Sequence, residues 1–260
     1  MRTLQATAEP RRAFGVRFAG LIWRGPALVS LLSWLVAGWV ASVAGSAPAL
    51  AGWEGQALIL AASRGDVPAI RNLVESGADL HARDERGRNA VLAAVQGSHL
   101  EAASLLITLG ADVNAQDDIQ DSAFLLAGAR GHAGIVRQAL DAGADVTATN
   151  RYGGTALIPA CHYGHVETVR VLLTSRIAVD HVNRLGWTAL LEAIILGNGG
   201  PRYVQIVEML LARGANPNRA DQDGVSLLAH ARLRQQDRVV ARLLAAGARD
   251  IERAPRRSAG

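Results

Sequence analysis

Residues 106–117 read LITLGADVNAQD, and three other stretches lie over them in register: LVESGADLHARD at 73–84, ALDAGADVTATN at 139–150 and LLARGANPNRAD at 210–221. The shared pairs Gly77-Ala78, Gly110-Ala111 and Gly143-Ala144 are spaced by 33, and Gly214-Ala215 and Gly247-Ala248 repeat that interval. A fixed period of this length marks a stack of structural repeats. Each stretch closes on an Asp or Asn that opens the next unit, and ERGRNAVLAA, RYGGTALIPA, RLGWTALLEA or QDGVSLLAHA then follows.

One unit shows the local physics. Thr155 stands where a helix N-cap is needed, its hydroxyl placed to accept from backbone amides, and the first helix is expected to run to about Tyr163, where Gly164 ends it. Val166, Val169, Leu172 and Leu173 then recur at spacings of three and four, which predicts a second helix with one apolar stripe and with Glu167 and Arg170 on its wet side. Helices this short cannot bury a stripe alone. Leu105-Leu106, Ala139-Leu140, Leu172-Leu173, Leu210-Leu211 and Leu243-Leu244 fall near the same register, so each copy packs on its neighbours. Gly77, Gly110, Gly143, Gly214 and Gly247 sit past each second helix, where a positive φ is needed.

The pattern resembles the ankyrin repeat, D-x-x-G-x-T-P-L-H-x-A through G-H-x-x-V-V to L-L-x-x-G-A-D-V-N-A, over roughly three quarters of the chain. The resemblance implies an all-α repeat solenoid of stacked helix-turn-helix units with short β-turn or hairpin tips. Six copies are expected at about 52–83, 84–116, 117–149, 150–182, 183–220 and 221–250, followed by a disordered tail at 251–260. The T-P-L-H corner is altered: Ser122, Thr155, Thr188 and Ser226 keep the hydroxyl, but Leu92, Leu125, Ile158, Leu191 and Ala229 take the His place. Arg176 replaces the expected glycine, and a left-handed non-glycine costs roughly 1–2 kcal/mol, so this corner is either strained or differently shaped. The fifth copy carries five extra residues, and GNGGPRY points to an enlarged loop between its helices, since a Gly-Gly-Pro run cannot continue a helix. The stretch GWTALLEAIILGNGG resembles a variant found in exported bacterial ankyrin proteins.

Ahead of the repeats, Arg2, Arg11, Arg12, Arg17 and Arg24 precede an uncharged stretch whose apolar part, ALVSLLSWLVAGWVASVA, leads to Ala49-Leu50-Ala51. A basic leader, an apolar run and a small-x-small site describe a secretory signal peptide or signal helix at 1–51, with cleavage leaving Gly52 first and a periplasmic or secreted product. The alternative is an uncleaved anchor at 27–47, in the inner membrane with the stack facing the periplasm, because a run near 18 residues is about the shortest that spans a bilayer. Arg11-Arg12-Ala13-Phe14 also resembles a twin-arginine signal, so either export route stays open.

Five of the 27 basic and one of the 23 acidic residues lie in 1–52, which leaves 22 of each in the processed chain. A formally neutral product with no lysine gives no support to nucleic-acid binding. Cys161 is the only cysteine, so an internal disulfide is excluded; by its place it faces the interior as an inert thiol. His99, His132 and His165 occupy one place in successive copies. Packed helices lie roughly 8–10 Å apart, too far for equivalent side chains to share an ion with ligands at about 2.0–2.1 Å. These histidines are therefore structural, and Gly164 interrupts the His162-x-x-His165 pair. Phosphate loops, nucleophile motifs and patterned carboxylate pairs are absent. The sequence predicts no catalysis, cofactor or metal.

What remains is recognition of another protein. The resemblance implies a partner surface of turn tips and the exposed, concave face of the first helices. It maps to Glu85, Arg86 and Arg88; Asp118, Ile119 and Asp121 with Arg130; Arg151 and Tyr152 with His162 and Tyr163; and Arg184, Leu185 and Trp187 with Ile195 and Leu196. Tyr152, Tyr163 and Trp187 fall at expected solvent positions in a chain with eleven aromatic residues, and exposed Tyr, Trp and Arg anchor interfaces. The alternative is packing, with Trp187 covering a turn and Tyr163 closing a helix. The expected product is a monomeric binding module; a membrane-anchored scaffold or assembly factor and an immunity or inhibitor protein are the other classes.

Overall fold

The computed structural model describes residues 53–249. These residues hold twelve helices in six pairs: Trp53–Arg64 (α1), Val67–Glu75 (α2), Ala90–Gln96 (α3), Leu100–Thr108 (α4), Ala123–Arg130 (α5), Ala133–Asp141 (α6), Leu157–His162 (α7), Val166–Leu172 (α8), Ala189–Ile195 (α9), Pro201–Ala212 (α10), Leu227–Leu233 (α11) and Asp237–Ala245 (α12). No strand occurs among the described residues; the tips are turns. The odd-numbered helices pack in one row and the even-numbered in a second. The core runs between the rows, through Leu58, Phe124, Leu157, Leu191, Ile206 and Leu228. The expected leader, the alternative anchor and the tail lie outside the described residues, among which no helix is long and apolar enough to cross a membrane.

The Gly-Ala doublet has a mechanical explanation. Gly110 adopts φ +92 and its N–H returns to the Ile107 carbonyl, while the N–H of Ala111 reaches back to Leu106. That pair of bonds satisfies the carbonyls a helix end would otherwise leave open. Alanine follows because the side chain must fit inside the stack, where Ala111 is buried.

Asn89, Ser122, Thr188 and Ser226 cap their helices through their side chains, each cap contributing about 1 kcal/mol. Thr155 departs from the expectation. Its hydroxyl is buried without a partner, and α7 starts only at Leu157. Pro159 has no N–H to return to the Thr155 carbonyl, so the N–H of Ile158 closes a tighter turn onto it and is lost to the hydroxyl.

Arg176 does not adopt a positive φ, so this corner is differently shaped rather than strained. Helix α8 stops at Leu172, Ser175 bonds back to the Leu172 carbonyl, and Arg213 of the next repeat donates to the carbonyls of Leu173 and Ser175. The five-residue insertion is also divided. Relative to the fourth repeat, the interhelical loop 196–200 lengthens by two residues and α10 begins three residues earlier. Pro201 opens that helix, where its missing N–H costs nothing.

Candidate binding cleft

Five tips share one construction. Oδ1 of the opening residue accepts from the N–H groups two and four positions on: Asp84 from Arg86 and Arg88, Asp117 from Ile119 and Asp121, Asn150 from Tyr152 and Gly154, Asn183 from Leu185 and Trp187, Asp221 from Asp223 and Val225. These side chains close the turn without a strand partner. The second position is the apex, and Ile119, Tyr152 and Leu185 there are all exposed. The fourth position turns back toward the helix. Trp187 occupies it and packs, half-buried, against the core.

Between the third, fourth and fifth repeats the tips and first helices enclose a cleft of about 420 Å³. Leu126, Ile158 and Pro159 form apolar wall; Tyr152, Tyr163, Leu185 and Leu196 stand exposed around it. The Arg151 guanidinium lies 4.8 Å from the Tyr152 ring centre and 3.8 Å from the Asp121 carboxylate. His162 stacks on Tyr163 with ring centres 4.3 Å apart. At the base is Glu192, whose side chain is only 6% exposed. Its Oε1 accepts from Asn183 Nδ2 at 3.0 Å. Its Oε2 lies 3.3 Å from His162 Nδ1 and has no aligned hydrogen-bond donor. Burial pushes the Glu192 carboxyl up to about 7, against the opposing pull of the Asn183 bond. Burial likewise holds His162 below the ordinary histidine range, and burial followed by the Glu192 charge pushes the Cys161 thiol up. Burial and the neighbouring Asp117 charge raise Asp121.

The family model for ankyrin repeats in three copies matches residues 28–117 and 124–221, its first span reaching back into the apolar segment that precedes the described helices. The chain belongs to the ankyrin-repeat family. It is 53% identical to an ankyrin repeat domain from Acinetobacter baumannii AYE, over 74% of this chain and 98% of that one, with a TM-score of 0.72. The ankyrin repeat protein EF0377 is 34% identical over 74% of this chain and 97% of its own, with a TM-score of 0.70. No curated protein matches. Ankyrin repeats generally mediate protein–protein interaction and are typically non-catalytic.

Of the residues mapped from the ankyrin pattern, Arg151, Tyr152, His162, Tyr163, Leu185, Trp187 and Leu196 line the cleft together with Asp121. Three others lie outside that lining and make contacts within the stack. Arg130 donates to the Gln96 carbonyl and Ser98 hydroxyl of the preceding repeat. Arg184 donates to the Arg151 carbonyl and so ties two tips together. Ile195 packs against the core. Trp187, expected at a solvent position, packs half-buried against the core, and counted from Asn150 and Asn183 the counterpart of Tyr152 is Leu185.

Two residues escaped the sequence reading. Glu192 falls where the second, third and fourth repeats have Ala93, Leu126 and Pro159, and that break in an apolar column was its signal. Tyr203 lies 38 residues beyond His165, on the histidine place once the insertion is counted. His165 Nε2 sits 3.2 Å from the Ala129 carbonyl, and Tyr203 donates to the equivalent His162 carbonyl at 2.9 Å. In the third repeat Arg130 takes the Gln96 carbonyl, which leaves His132 Nε2 buried without a partner.

Proposed function

We propose that this chain is a non-catalytic, monomeric protein-binding module, exported to the periplasm, that docks its partner in the cleft of repeats three to five. One observation carries the reading: Tyr152, Tyr163 and Leu185 are each more than half exposed around a single concavity, although tyrosine carries apolar area that is worth burying. Aromatic residues standing in water at such a concavity are the group that anchors interfaces, where one residue contributes about 2 kcal/mol or more, roughly thirtyfold in affinity.

The test uses the tagged full-length chain expressed in a Gram-negative host. Tyr152→Ala and Leu185→Ala should abolish recovery of the captured periplasmic partner while melting stays unchanged. Undiminished capture by both variants would move the partner elsewhere, with the Asn198–Arg202 insertion next to be mutated. Sequencing the soluble product from its N-terminus should give Gly52. Intact 1–260 in washed membranes would replace export by anchoring.

A further inference from the structure

The Glu192 carboxylate is the unusual group of this molecule. A buried acid with one unpaired oxygen costs stability unless a donor reaches it, and Glu192 stands where the three preceding repeats have Ala93, Leu126 and Pro159. Its neighbours leave it unsatisfied: Asn183 serves only Oε1, and His162 is close but misaligned. A metal ion would need more ligands. Among the described residues no group of three or more His, Cys, Asp or Glu is placed to hold one. Glu192 lines the cleft with Oε2 covered at its base beside His162, and of the other charged residues described there Asp121 is a second acid and Arg151 is engaged by Asp121 and the Tyr152 ring. The complement is a single cationic donor on an apolar stem.

We propose that the cleft is a receptor for one basic side chain, a lysine or arginine of the partner's docking segment, whose nitrogen donates to Glu192 Oε2 while its methylenes lie against Leu126, Ile158 and Pro159. The inference rests on the protein-binding reading above and adds the chemistry the partner must present. A charged donor completes the hydrogen bonding of the carboxylate and neutralises it in one contact, which a neutral donor does not. Tyr152 and Tyr163 flank the stem at the mouth, where an aromatic face favours a cation.

The full chain, purified in detergent, is titrated with N-acetyl-lysine methylamide, N-acetyl-arginine methylamide and, as uncharged control, N-acetyl-norleucine methylamide. The Trp187 indole N–H signal is followed, assigned by Trp187→Phe. The cationic probes should give a saturable shift and norleucine none. Glu192→Gln should weaken the cations roughly tenfold or more, as expected for loss of a charged hydrogen bond; Glu192→Leu, the residue the third repeat carries there, is the second variant if the first melts early. An equal response to norleucine, or cation binding unchanged in both Glu192 variants, overturns the inference. Partner capture separates the two levels. Capture lost in Tyr152→Ala but unchanged in Glu192→Gln overturns only the basic-residue inference, whereas capture indifferent to Tyr152, Leu185 and Glu192 overturns the protein-binding reading and the inference with it.

Discussion

In the sixth repeat the tip residue Asp221 meets His230, nine residues on, with Nε2 and Oδ2 2.7 Å apart. In the fifth the same two places hold Asn183 and Glu192, joined at 3.0 Å. The backbone frame is common, yet the electrostatic outcome is opposite. An acid at the tip collects the turn's N–H groups as well as the helix residue: against the desolvation that raises it, the N–H of Val225 and the His230 side chain hold Asp221 below the usual carboxylate range. An acid on the helix has only the tip amide to meet it, and burial raises Glu192 to about 7. Exchanging which partner is acidic leaves one carboxylate oxygen of the fifth repeat buried without a donor, in the lining of the cleft.

The largest effect tests whether the closed pair belongs to a repeat the stack needs. Deleting 221–250 removes Gln236, which donates to the Ile194 and Gly197 carbonyls, and Arg234, which donates to Ile195, and uncovers the apolar flank of α9 and α10. The truncated chain should aggregate in light scattering; a monomer with unchanged melting would show that the fifth repeat caps itself.

Next come substitutions of opposite sign. The Glu192 shift, from 4.5 to about 7, corresponds to a destabilisation of order 3 kcal/mol at about 1.4 kcal/mol per pKa unit. Because the folded pKa lies above the unfolded one, this cost is absent below pH ~4.5 and complete once the pH has risen through ~7. Glu192→Met should therefore melt higher than the parent at pH 8, with the advantage vanishing by pH 4.5. Comparing the two chains at each pH cancels the opposite trend from His132 and His165, whose lowered pKa values weaken the fold as the pH falls. His230→Ala should instead lower stability by about 1–3 kcal/mol, since Asp221 Oδ2 loses its donor. Stabilisation by both changes, read by denaturant titration, would break the distinction between the repeats.

Binding should follow the same titration. A cation selects ionised Glu192, so affinity for the blocked lysine probe should rise between pH 5 and 8. Cys161, His162 and Asn183 lie beside the carboxylate, and Asp121 and Arg151 line the same cleft; of these, protonated His162 would repel the probe at low pH and acts in the same direction. Affinity that is flat across this range would detach the probe from Glu192.

The smallest effect separates the tips' two positions. Tyr152→Ala, at an exposed apex, should change stability by no more than about 0.5 kcal/mol. Trp187→Ala, at the returning position against the core, should cost about 2 kcal/mol or more in the same titration. Equal losses would mean that both rings pack alike.

The sequence by itself determined the repeat, its two helices and the turn between units, because the Gly-Ala doublet, the capping residues and the apolar stripe act within a few residues of each other, over distances the chain order controls. It also brought Tyr152, Tyr163, Leu185 and Leu196 to one face. Only the tertiary structure decided that Arg213 would close the carbonyls of an altered corner 38 residues earlier, and that Arg130 and Arg184 would donate to carbonyls of neighbouring repeats. The role of Glu192 was beyond local reading for the same reason. Whether a carboxylate is solvated, paired or left open depends on what the adjacent repeats place around it, and that is set by the stacking of distant segments.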